Sequence, residues 1–131
     1  MISYSVTIDV PDLEAGLRFY QQAFGFTERA RPIPNLAVLQ AGDRTLCLFA
    51  KPEGSQPTPD SAMHRDYRPH WTPVHLDFHV ADFESVLAQA LVAGATCEQR
   101  HDPPQHGSVA FCRDPFGHGF CIIQNQMSPK Q

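Results

Sequence analysis

Polar and apolar residues alternate strictly at two places in the chain. Val6, Ile8 and Val10 are interleaved with Ser5, Thr7 and Asp9, and Leu76, Phe78 and Val80 with His75, Asp77 and His79. A period of two predicts a strand with one apolar face. Each strand runs into an aspartate, Asp12 or Asp82, followed by a helical stripe. The stripes are Leu13, Leu17, Tyr20 and Phe24, and then Phe83, Val86, Leu87, Ala90 and Leu91, spacings that bury one side of a helix. The aspartates are natural N-caps, and Gly25 and Gly94 follow as C-terminal caps.

Three short strands are expected after each helix. In the first half they fall near Thr27 to Ala30, Leu36 to Gln40 and Thr45 to Phe49, with a tight Gly42-Asp43 turn before the last. In the second half they fall near Thr96 to Arg100, Val109 to Arg113 and Gly119 to Gln124, the last two joined through Asp114-Pro115-Phe116-Gly117-His118. The segment Ser5 to Glu14 matches His75 to Glu84 position for position, so the chain reads as a βαβββ unit written twice. The expected fold is α+β: two tandem βαβββ modules forming a rolled, cavity-enclosing mixed sheet with the helices outside. A single domain over 1–131 divides into module one (1–50), a linker (51–73), module two (74–126) and a short tail (127–131). Prolines 52, 57, 59, 69 and 73 keep the linker irregular, and Tyr67 to Trp71 reads as a lid over a cavity or as a surface-packed loop.

Composition narrows the function. The chain has 131 residues, 42% of them hydrophobic and 18% charged, which suits a folded domain and excludes a disordered one. The net charge of -4, with Lys and Arg scattered, argues against a nucleic-acid partner. No apolar run reaches membrane-spanning length and no leader pattern opens the chain, so a cytoplasmic protein without a membrane partner is expected. Cys47, Cys97, Cys112 and Cys121 form no paired spacing and read as reduced, buried small residues. His64, His70, His101 and His106 read as solvated loop residues, and His118 as part of a hairpin turn.

Strand parity places the chemistry. If the helices cover the apolar faces, then Ser5, Thr7 and Asp9 face inward with His75, Asp77 and His79. The last strands add Thr45, Cys47 and Phe49, with Gly119, Cys121 and Ile123. Ser5 and Cys47 then have His75 and Cys121 as their symmetry mates. Asp9 and Asp77 are candidate general bases. No phosphate-binding glycine loop, nucleophile elbow or dinucleotide fingerprint is present in the sequence.

The strand-Asp-helix pattern, the stretch from Arg18-Phe19-Tyr20 to Gly25-Phe26, and Asp114-Pro115-Phe116-Gly117-His118-Gly119-Phe120 resemble the vicinal oxygen chelate superfamily. That superfamily includes glyoxalase I, bleomycin resistance proteins and extradiol dioxygenases. The resemblance covers essentially the whole chain. For metal-dependent members it implies a divalent ion held by a first-strand His and a last-strand Glu of each module. The matching positions here are Ser5, Cys47, His75 and Cys121, of which only His75 is a usual ligand. With both carboxylates gone, an oxygen-preferring ion loses its main anchors.

The leading expectation is therefore metal-independent binding of a small, partly aromatic molecule, with no cofactor. Its binding residues would be Ser5, Thr7, Cys47, Phe49, Trp71, His75, Asp77, Phe111 and Cys121. The alternative is a divalent-metal-dependent lyase, isomerase or dioxygenase with an atypical site, for which His75, Cys47 and Cys121 could hold zinc. The resemblance also implies a homodimer.

Overall fold

A computed structural model of the chain describes residues 1–125, and the tail expected at 127–131 lies outside them. The chain divides into two compact units, one from Met1 to Arg68 and one beginning at Pro69. The first contains β1 (Val6–Val10), α1 (Leu13–Phe24), β2 (Thr27–Ile33), β3 (Leu36–Ala41) and β4 (Arg44–Ala50). The second repeats the order as β5 (Leu76–Val80), α2 (Phe83–Ala93), β6 (Thr96–His101), β7 (Val109–Arg113) and β8 (Gly119–Gln124). Both units are βαβββ, as the repeat requires.

Each unit builds its own four-stranded sheet, ordered β1-β4-β3-β2 and β5-β8-β7-β6. The sheets are mixed, because β1 runs parallel to β4, and β5 to β8, while the other neighbours are antiparallel. Neither sheet closes into a barrel. β2 extends beyond the expected Ala30 to Ile33 and includes Pro32, which an edge strand tolerates because its outer amides need no partner.

The helices start and stop where the sequence says. The Asp12 carboxylate accepts from the Ala15 amide at 3.2 Å, and Asp82 accepts from Ser85 at 3.1 Å. Gly25 ends α1 with a left-handed φ of 73°. α1 buries Leu13, Leu17 and Tyr20 as expected, and Phe19 as well. It lies close on its sheet, since a Cβ at Gly16 would stand 3.2 Å from Val10. α2 buries Phe83, Leu87 and Ala90, but Leu91 is 43% exposed, contrary to the expected stripe. Leu91 lies one residue, about 100° of helix, past Ala90 and turns off the covered strip.

The stretch between Lys51 and Pro73 is shared by the two units. Arg65 exchanges backbone hydrogen bonds with Gly54 and Ser55, and the Tyr67 hydroxyl donates to the Lys51 carbonyl at 2.8 Å. His70 belongs to the second unit, where it bridges to His118 and its amide donates to Gly117.

Candidate functional site

Parity within each sheet follows the expected assignment. In the first unit Val10, Leu46 and Leu48 are buried under α1, while Thr7 pairs with Cys47 and Asp9 with Phe49 on the other face. Ser5 lies just before β1 and is exposed. Two residues of the following loop return to this face. Lys51 Nζ stands 4.0 Å from the centre of the Phe49 ring, and Arg65 Nε donates to Asp9 Oδ2 at 2.7 Å. Arg65 also donates to the Ser55 hydroxyl and the Gln56 carbonyl. Asp9 is therefore paired with a guanidinium on this face. Beside this pair, burial and then the Asp9 charge push the Tyr67 hydroxyl up to about 12.

The second unit gathers five of the nine expected binding residues, Trp71, His75, Asp77, Phe111 and Cys121, on the open face of its sheet. Cys121 is the register partner of Asp77 on one side and Phe111 on the other. His75 Nδ1 lies 3.2 Å from Asp77 Oδ1. The Trp71 ring meets His75 edge-on at 5.4 Å and Phe111 edge-on at 6.2 Å between centroids. It also lies over Gly119, where a Cβ would fall 2.5 Å from the indole. Only the bare backbone of glycine leaves room for the ring. Ser5, Thr7, Cys47 and Phe49 belong to the first unit.

Two residues of this face were not legible by alternation. β6 carries a bulge between Cys97 and Gln99, which inserts an extra residue and reverses parity beyond it. Arg100 is thereby sent to the helix side, over the Phe83 ring and against Glu84. His101 instead comes to the open face, its ring 5.5 Å from Phe111; it is exposed as expected, but it ends β6 and does not lie in a loop. The bulge also presents Glu98. Its Oε1 accepts from the Trp71 indole at 3.0 Å and its Oε2 from Arg113 Nε at 2.7 Å. These two bonds hold the Glu98 carboxyl below the usual glutamate range, the indole contributing most. His64 is an exposed loop residue, as expected, and its Nδ1 lies 2.8 Å from the Gly54 carbonyl.

Of the four cysteines, Cys112 and Cys121 are buried, while Cys47 and Cys97 are half-buried. Burial, and then the neighbouring Asp77, push the Cys121 thiol up to about 12, so it keeps its proton and hydrogen-bonds with that carboxylate. The donor set nevertheless fits a metal ion. Ligand atoms of His75, Asp77 and Cys121 all lie within 4.8 Å of one another, offering nitrogen, oxygen and sulfur to a borderline ion such as zinc. A carboxylate lost from the last strand is thus available from Asp77 on the first. An ion there would displace the thiol proton and act as a Lewis acid.

The two βαβββ units define a glyoxalase-like fold, and comparison with solved structures agrees. A glyoxalase-related enzyme from Fulvimarina pelagi superposes with a TM-score of 0.73 at 23% identity, covering 100% of this chain and 94% of that one. The lactoylglutathione lyase from Agrobacterium tumefaciens gives 0.65 at 17% identity, over 99% and 98% of the two chains. The fosfomycin resistance protein FosX from Listeria monocytogenes gives 0.73 at 17% identity, over 97% of each. No curated protein matches the chain significantly. The family model for the glyoxalase-like domain matches residues 5–123, and the chain belongs to that family, within the vicinal oxygen chelate superfamily.

Proposed function

We propose that the protein binds a small, partly aromatic molecule on the open face of the second sheet, without a metal, as a bleomycin-resistance-like member of its family. The observation that carries this reading is the seat of Trp71. A large ring is laid on Gly119, fixed by Glu98 at its N–H, and left 41% exposed beside Phe111, His75 and Asp77. Such a surface offers stacking area with a few polar groups for orientation. A thermal-shift screen of the metal-free protein tests it. Aromatic ligands are expected to raise the Tm, and a rise with Zn²⁺, Ni²⁺ or Mn²⁺ alone would refute it. The protein is expected to work in the cytoplasm as a homodimer. No helix among the described residues is long and apolar enough to cross a membrane.

A second reading, a divalent-metal-dependent lyase, isomerase or dioxygenase, is favoured by the grouping of His75, Asp77 and Cys121. An ion held there would polarise substrate oxygens. Metal analysis after purification without chelator decides it. Stoichiometric metal that is lost in Asp77→Asn supports this reading, and a metal-free protein that gains no activity with added ions rejects it.

A further inference from the structure

Cys97 and Cys112 are register partners across the antiparallel β6–β7 pair, on the sheet face opposite Trp71. The hydrogen bonds of β7 fix the kind of pair they make. The Gln124 amide donates to the Ser108 carbonyl, and the Asp114 amide to the His118 carbonyl. Even-numbered residues of this strand therefore direct their backbone groups toward β8, and Cys112 has none directed at β6. Cys97 and Cys112 consequently form a non-hydrogen-bonded pair, in which Cα atoms approach to about 4.5 Å and side chains lie closest. A disulfide requires Cα atoms about 4.4–6.8 Å apart, so this one demands no separation or slip of the strands. The adjacent bulge supplies local slack on the Cys97 side.

We propose that Cys97 and Cys112 form a reversible thiol–disulfide couple, oxidised by low-molecular-weight disulfides with Cys97 as the entry thiol. Cys97 is half-buried while Cys112 has no exposed surface, so only Cys97 meets a reagent from solution. Burial, and then Cys97 itself, push the Cys112 thiol up to about 12, which makes it the less reactive of the two. The Cys97 thiolate attacks one sulfur of the reagent, forming a mixed disulfide and expelling one thiolate. Cys112 then loses its proton to water and attacks the Cys97 sulfur, expelling the second thiolate. Two protein thiols are oxidised by two electrons, and one disulfide is reduced to two thiols. Glu98 follows Cys97 and Arg113 follows Cys112, so the cross-link would tie the residue that accepts from the Trp71 indole to the arginine that donates to that residue's carboxylate.

Incubation of the folded protein with glutathione disulfide, followed by alkylation, trypsin and mass spectrometry, tests the couple. Cleavage after Arg100 and Arg113 places Cys97, Cys112 and Cys121 on three different peptides. The expected product joins the peptide ending at Arg100 to the peptide His101–Arg113, two hydrogens lighter than their sum and separated by reductant. Cys97→Ser is expected to leave Cys112 alkylated only after unfolding, and Cys121→Ser is expected to retain the link. A stable glutathione adduct on Cys97 beside free Cys112, or a link through Cys47 or Cys121 in place of this one, would overturn the proposal.

Discussion

Trp71 lies so close over Gly119 that a single added methyl group would enter its ring, with a Cβ 2.5 Å from the indole carbons. The glycine is needed here for close approach, since its φ is not in the left-handed range. Gly119→Ala is expected to displace the indole, shift the emission of the chain's one tryptophan to longer wavelength, and cost about 1–3 kcal/mol of stability. Fluorescence and urea unfolding check both. Unchanged emission would mean that the ring does not rest on β8.

The bond from Trp71 to Glu98 gives the site a pH dependence. A carboxyl held below its usual value stabilises the fold above the ordinary glutamate range, and the contribution is lost as pH falls through the folded value. Acid titration of Trp71 emission is expected to show a midpoint below the ordinary glutamate pKa, and Glu98→Gln is expected to abolish it. A midpoint at or above the ordinary value would contradict the network.

On the first unit, Arg65→Met is expected to free the loop from Lys51 to Arg68. The side chain is 15% exposed and makes three polar contacts, yet Asp9 remains 33% exposed and can recover water. Solvent screening limits the loss to about 1 kcal/mol. Hydrogen exchange at Gly54 and Arg65, whose amides lie in that loop's own backbone bonds, is the sensitive measurement, and should accelerate.

Removing either helix cap, by Asp12→Ala or Asp82→Ala, is expected to cost about 1 kcal/mol. The caps share no partner, so the double variant should lose the sum to within a few tenths. Chemical denaturation of the three variants measures this.

Most of the fold was legible because the chain states its grammar twice. Asp12 and Asp82 mark the same event, and the period changes from two to three or four at each. The edge strand β2 was less legible. Its seven residues are all exposed, so no burial pattern announces Arg31, Pro32 and Ile33. The site was legible only as far as alternation holds. Parity found Asp77 and Cys121, but one inserted residue at the β6 bulge brought in Glu98 and turned His101 and Arg100 to opposite faces. A bulge is fixed by pairing with a neighbouring strand, and nothing in Thr96 to His101 alone records it. Asp77 as a replacement carboxylate was hidden for a similar reason, because its approach to Cys121 depends on the β5–β8 register.

The central claim is that the face around Trp71 recognises a small aromatic molecule. Its most direct test is titration of the single tryptophan's emission with such ligands, in wild type and in Phe111→Ala, with chelator present throughout. The expected result is a saturable change in wild type and about tenfold weaker binding in the variant, the effect of losing roughly 1.4 kcal/mol of ring contact. Emission that no aromatic ligand alters, or binding that survives Phe111→Ala undiminished, would contradict it.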